Sequence, residues 1–230
     1  YGTAGIRTTS QSHLHVDRTP DRDSRTAALL RAAGTVMLGK LTTHEFAFGG
    51  PSWDLPFPPA RNPWNTECFT GGSSSGSGAA TAAGLAMGTL GSDTGGSIRM
   101  PAFFCGISGL KPTYGRVSRR GVSPLAYSLD HCGPMTWTAR DAALMLQVIA
   151  GYDAGDPASS NCPVPDYTST LTGDIQGIKV GLIRHFYDGD EHAGDEVKTA
   201  MAGMLPILED LGAEVEEIQL SSLHDYSACC

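Results

Sequence analysis

Apolar and polar positions along this chain switch between a period near 3.6 and a period of 2, and that pattern predicts a run of helices and strands. Over residues 21–33, Ala27, Leu30 and Ala33 share one stripe behind an acidic first turn, which predicts a helix. Thr35-Val36-Met37-Leu38, bounded by Gly34 and Gly39, is a short apolar run and predicts a buried strand. Residues 51–71 form a Pro- and aromatic-rich loop. Residues 77–87 are almost all small, which predicts a helix able to lie flat against a sheet, and Thr89-Leu90 leads into the next turn. Thr138, with Asp141 three positions on, opens a helix over residues 139–150 that Gly151 ends. Ile178, Val180 and Leu182 alternate as a strand. Val197, Met201, Met204, Leu208 and Leu211 keep helical spacing despite Pro206, and Val215 and Ile218 indicate one more strand after Gly212. This order of elements indicates a layered α/β architecture.

Composition narrows the function classes. The chain has 230 residues, 40% hydrophobic and 17% charged, enough for one sizeable core and unlike a disordered chain. Its net charge of −8 argues against direct binding to nucleic acid or to an anionic membrane, both of which need a basic footprint. No apolar run reaches the ~18 residues that span a bilayer, and the first twenty residues lack the apolar core of a signal peptide. Six scattered cysteines with no C-x-x-C give no zinc or thioredoxin signature, and only Cys229-Cys230 are neighbours. Free thiols and a cytoplasmic location are the expectation, with no metal and no cofactor.

The chemistry concentrates between Gly71 and Pro101, a stretch rich in Gly and Ser with few bulky side chains. Such a stretch permits close backbone approach and leaves N–H groups exposed. Ser73 and Ser97 each stand beside a Gly-Gly pair, 24 positions apart, in the layout of a nucleophile and a helper on two turns. Gly34 to Lys40 imitates a phosphate-binding loop, but Leu41 stands where Ser or Thr must hold magnesium. Gly72-Ser73-Ser74-Ser75-Gly76 also satisfies the G-x-S-x-G of an esterase elbow, which requires a strand immediately before it; residues 65–70 show no such run.

The motifs Gly71-Gly72-Ser73-Ser74-Ser75-Gly76 and Gly91-Ser92-Asp93-Thr94-Gly95-Gly96-Ser97-Ile98-Arg99-Met100-Pro101 resemble the signature of the amidase signature family, the Ser–cisSer–Lys amide hydrolases. Ser75 stands where that pattern usually has Gly. The resemblance continues through Asn62-Pro63-Trp64-Asn65, through residues 105–113 and through Ser128-Leu129-Asp130-His131-Cys132-Gly133-Pro134, about two thirds of the chain. It implies an α/β/α sandwich with a mixed central sheet flanked by helices, present only in part. Residues 1–230 would be a single, incomplete amidase signature domain: Gly5-Ile6-Arg7-Thr8-Thr9 aligns so that the catalytic lysine falls three residues before Tyr1, and the pattern runs on past Cys230.

The resemblance also assigns roles. An amide is a poor electrophile with a poor leaving group, so its hydrolysis needs a strong nucleophile, an oxyanion stabiliser and an acid for the departing nitrogen. Ser97 would be the nucleophile. Ser73, after a cis peptide bond, would be the proton relay. The backbone N–H groups of Thr94, Gly95, Gly96 and Ser97 would form the oxyanion hole, where one donor is worth roughly 3–4 kcal/mol in the transition state. Ser74, Asp93 and Arg99 would support the turns. The base would be a neutral lysine, and Lys40 and Lys111 both lie in other motifs of the pattern. His131 beside Asp130 invites a Ser–His–Asp reading, against which stands its variable position in the family. The implied function is hydrolysis of a small-molecule carboxylic amide to acid plus ammonia or amine. A glutamine-hydrolysing subunit of a tRNA-dependent amidotransferase, and a non-catalytic member or partner subunit lacking the lysine, remain alternatives; a homo-oligomer stays open.

Overall fold

The computed structural model describes residues 1–228, so Cys229 and Cys230 lie outside the described residues. The described residues form two compact units, Tyr1–Thr170 and a second from Leu171 onward.

In the first unit, helix α1 spans Arg25–Ala32. It starts four residues later than the apolar stripe suggests because Ser24, extended at ψ 156°, caps it by accepting from Ala27 N–H. Gly34, at φ +84°, ends it. The strand expected over residues 35–38 is not formed: Val36 is 82% exposed and no strand among the described residues pairs with this run. An apolar run without a neighbour to complete its hydrogen bonds is neither paired nor buried.

Helix α2, Ser75–Ala82, is shorter than its pattern suggests, since Gly84 at φ +70° stops it and leaves Leu85 and Met87 exposed. Strand β1, Gly88–Asp93, comes next. Helix α3 follows at Arg99–Cys105, then β2 at Ser108–Gly109 and β3 at His131–Thr136. The three strands form an antiparallel sheet with β3 in the centre, Leu90 opposite Pro134 and Asp93 opposite His131. A Cβ on Gly133 would lie 2.1 Å from the Leu110 carbonyl, so the close approach of the 108–110 segment to β3 requires glycine there.

Helix α4, Ala139–Ile149, has the expected cap: Thr138 Oγ1 accepts from Asp141 N–H at 3.1 Å and donates to its carboxylate at 2.7 Å. Its buried stripe of Ala142, Ala143, Leu146 and Ile149 faces β3, and Leu146 and Ile149 join Val117 and Cys132 in one core cluster. Ile98, Ala102 and Met135 form the other, directly beneath the second glycine turn. The small residues of α2 serve close packing as predicted: a Cβ on Gly78 would sit 3.1 Å from Pro101, and α2 contacts both α3 and β1. Two buried carboxylates pin the segment after α4. Asp153 accepts from Ser118 Oγ and Arg120 Nε at 2.7 and 2.8 Å, and Asp156 pairs with Arg119 at 3.2 Å.

The second unit is a strand–helix–strand crossover. β4 (Lys179–Leu182) pairs in parallel with β5 (Glu214–Glu217), Val180 opposite Val215, and α5 (Asp195–Asp210) runs between them through Pro206. Gly212, at φ +91°, closes the helix as its position suggests, and Ile218 lies just past β5 but still donates to Leu182 O. A short α6 follows at Leu223–Ser227. The α/β class is therefore realised, in two small sheets flanked by helices. Among the described residues no helix is long and apolar enough to cross a membrane.

Candidate active site

Two turns built from glycine carry the site. The first enters α2. Gly71 is left-handed at φ +73°, and a Cβ there would lie 2.8 Å from the Pro101 backbone; a Cβ on Gly72 would lie 2.1 Å from the His44 ring. No other residue type fits either position. The Gly72–Ser73 peptide is cis. Ser73 and Ser74 are buried, and Ser74 Oγ bonds the backbone of Ser92 on β1 as acceptor from its N–H (3.2 Å) and donor to its carbonyl (3.3 Å). Ser77 Oγ adds a bond to Leu90 O at 2.8 Å. Ser74 and Ser77 thus tie the start of α2 to β1. The segment before Ser73 is not a strand, so the strand–turn–helix of an esterase elbow is missing.

The second turn leaves β1 and enters α3, and Asp93 organises it. Its carboxylate is fully buried. Oδ1 accepts from Gly96 N–H (2.8 Å) and Arg99 Nη2 (2.9 Å); Oδ2 accepts from Ile98 N–H (3.0 Å), Arg99 N–H (3.3 Å) and Arg99 Nε (3.0 Å). Burial alone would raise this carboxyl, but the Arg99 guanidinium and the Ile98 and Gly96 amides outweigh it and hold Asp93 below the ordinary carboxylate range. Asp93 and Arg99 are therefore bonded to each other and to the backbone of this turn. Thr94 is tied from the other side: its hydroxyl donates to Asp130 Oδ1 at 2.6 Å, and the same carboxylate accepts from Leu125 and Ala126 N–H. His131 turns Nδ1 to the Leu129 carbonyl, 2.6 Å away, not to Asp130.

One hydrogen bond joins the turns: Ser74 N–H donates to Ser97 O at 3.2 Å. This brings the Ser73 and Ser97 backbones together. Neither serine hydroxyl is hydrogen-bonded to a described residue, the other serine included, so a direct Ser73–Ser97 bond is not made in this structure. Of the four expected oxyanion donors, Gly96 N–H is already engaged by Asp93, while Thr94, Gly95 and Ser97 N–H carry no such bond and Gly95 is exposed.

Ser73 opens onto a cavity of about 600 Å³ that Ser97 does not line. Lys40 lies in its wall. Burial, and then Arg18, lowers Lys40 to about 8, yet its ammonium donates to the Tyr1 carbonyl and to Thr3 Oγ1 at 2.9 Å. Both contacts turn the Lys40 amine toward Tyr1 and Thr3, and among the described residues it makes no hydrogen bond to Ser73 or Ser97. The same wall holds Ser10, Gln11, Phe46 and Ala47, the four non-glycine residues with positive φ among the described residues. Such conformations cost of order 1–3 kcal/mol each and cluster at functional sites. His44, whose ring is packed on Gly72, carries no signal in the sequence; Asp130 is marked by the motif Ser128–Pro134, but its bond to Thr94 depends on a tertiary contact. Among the described residues, no three His, Cys, Asp or Glu side chains gather to hold a metal ion.

The chain is thus a mixed α/β scaffold presenting two serines on adjoining glycine turns. The Amidase family model matches residues 1–228, and the chain belongs to that family. It is 50% identical over 218 residues to a glutamyl-tRNA(Gln) amidotransferase subunit of Roseiflexus sp. (strain RS-1), covering 95% of this chain and 44% of that protein. The crystal structure of the subunit of the same name from Thermotoga maritima superposes with a TM-score of 0.90 at 40% identity, over 96% of this chain and 48% of that one. The native peptide amidase of Stenotrophomonas maltophilia gives 0.86 at 33% identity, over 99% and 47%. The chain thus spans just under half the length of the proteins it resembles.

Proposed function

We propose that the whole protein hydrolyses a carboxylic amide to acid plus ammonia or amine through an acyl-enzyme on Ser97. Ser97 Oγ attacks the carbonyl carbon, and its proton passes by way of Ser73 to a neutral lysine amine, expected upstream of Tyr1. The oxyanion is received by N–H groups of the 94–97 turn, and the proton returns to the leaving nitrogen. Water then releases the acid. The observation that carries this reading is the Asp93 cage: a buried carboxylate gathers five donors from residues 96–99 and so fixes the Ser97 turn, which Ser74 N–H then ties to the Ser73 turn through Ser97 O. In this reading Ser73 and Ser97 come into hydrogen-bond reach when substrate is bound; catalytic hydrogen bonds are often long before that.

The identity of 50% to an amidotransferase component, compared with 33% to a peptide amidase, favours glutamine as the amide, with its ammonia passed on to a misacylated tRNA held by partner subunits. The acidic surface, at net charge −8, suits a component that leaves the tRNA to others. A panel of amides including glutamine, assayed on the full-length protein with Ser97→Ala and Ser73→Ala, tests both levels. Ser97→Ala is expected to abolish turnover, and Ser73→Ala to cut kcat by orders of magnitude with KM retained. Wild-type rates in either variant remove that residue from its role. The 230-residue chain alone is expected to be inactive for want of its base, and robust hydrolysis by it would show the lysine assignment to be wrong.

A further inference from the structure

We propose that His44 is a positioning residue for Ser73, acting through the backbone of residues 72–73 and not on substrate; this rests on the relay role given to Ser73 above. His44 is buried, and it grips the first turn in two ways. Its backbone N–H donates to Ser73 O at 3.0 Å. Its ring fills the space that a Cβ on Gly72 would need, 2.1 Å from Cε1 and 2.3 Å from Nε2. The residue before the relay serine is thus held between its own chain and an imidazole face.

The ring is itself anchored. Nδ1 lies 2.8 Å from Gly49 O, and a carbonyl only accepts, so Nδ1 carries the proton and Nε2 has none in the neutral ring. Nε2 is buried and has no hydrogen-bond partner. Phe69 stacks on the ring at 6.0 Å. Burial lowers His44 below the usual histidine value and so favours the neutral ring, against the opposing pull of the Gly49 carbonyl. Between His44 and Gly49 stand Phe46 and Ala47, both at positive φ, so the Nδ1–Gly49 bond closes a loop that does not otherwise relax into this shape. Leaving a buried imidazole nitrogen unpaired is unfavourable, and a ring retained only for packing would be replaced by phenylalanine without loss.

The test is a double-variant cycle on the full-length protein, with an amide that the wild type turns over. His44→Phe keeps the ring on Gly72 but removes the donor to Gly49 O. It is expected to lower kcat by about 10- to 100-fold with KM within about two-fold, the scale of a small misplacement of a catalytic group. His44→Asn, which restores the donor, is expected to recover kcat to within about five-fold of wild type. In a Ser73→Ala background, His44→Phe is expected to change kcat by less than about two-fold, because a residue that acts through Ser73 has nothing left to position. An equal loss in both backgrounds, or a wild-type kcat in His44→Phe, overturns the proposal. If His44→Phe does not fold, His44→Gln, whose longer side chain misses the Gly49 carbonyl, takes its place with the same outcomes. A wild-type rate in Ser73→Ala alone is a separate result and removes the relay reading itself.

Discussion

Asp93→Asn is the perturbation that bears hardest on the second turn. The wild-type carboxylate is fully buried and accepts five hydrogen bonds, two on Oδ1 and three on Oδ2. Asparagine keeps one oxygen and puts an N–H₂ where the other stood, so in either amide orientation at least one backbone N–H faces a donor. If the amide nitrogen lies toward Ile98, the stranded N–H belongs to a residue with no solvent exposure. Leaving such a group unpaired costs about 1–3 kcal/mol. Breaking a buried ion pair costs about 3–5 kcal/mol when both partners are dry. Here Arg99 is about half exposed, so water takes up its guanidinium and the lower end applies. The expected loss is about 3 kcal/mol, or roughly 6–12 °C in Tm for a unit of this size. Trp53, Trp64 and Trp137 all lie in the first unit, so tryptophan fluorescence in a thermal or urea melt reports on the unit that contains the turn. The pH dependence has a definite sign. Because the folded carboxyl sits below its ordinary value of 3.8, the wild-type advantage over the variant is full above about pH 4 and is lost as pH falls through the folded value. A variant within about 0.5 kcal/mol of wild type at pH 7, or an advantage that grows on acidification, would refute the view that Asp93 holds this turn.

Other outcomes follow from the same structure. Gly133→Ala drives a methyl to 2.1 Å from the Leu110 carbonyl, backbone against backbone, and is expected to cost at least about 3 kcal/mol; a neutral urea midpoint would contradict the close approach in the sheet. Thr138→Ala removes the α4 cap and is expected to cost about 1 kcal/mol in the same melt, with no loss indicating a helix start that does not need its side chain. For Asp153, burial would raise the carboxyl, but Arg120 and Ser118 bring it to about 2 from 3.8, so its contribution is present above about pH 4 and disappears between there and pH 2. Ser118→Ala should flatten that slope, and an unchanged acid transition would count against the pairing.

The elements whose local chemistry matches their packing are legible in the sequence. Helix α4 signals its start through Thr138 and Asp141 and its buried face through spacing, and the β4–α5–β5 crossover follows directly from two changes of period. Helix α2 is shorter than its composition predicts because a run of small residues shows no boundary, and only the left-handed Gly84 sets one. Strand β3 leaves no such trace: Gly133 and Pro134 look like breakers, yet they sit in the central strand because Leu110 passes close enough to demand glycine. Residues 35–38 resemble a buried strand in apolar content alone, and burial depends on a neighbour that composition does not specify. The two serine turns are visible because glycine pairs mark them. The packing of His44 against Gly72 is not, since it joins segments distant in sequence; Asp130 is marked by its motif, but its pairing with Thr94 is not.

The most direct test is to treat the full-length protein with an amide-competing fluorophosphonate and map the adduct by mass spectrometry. A single phosphonyl group on Ser97, absent in Ser97→Ala, is the predicted result. An adduct on Ser73 or Ser74 with Ser97 unmodified would contradict it.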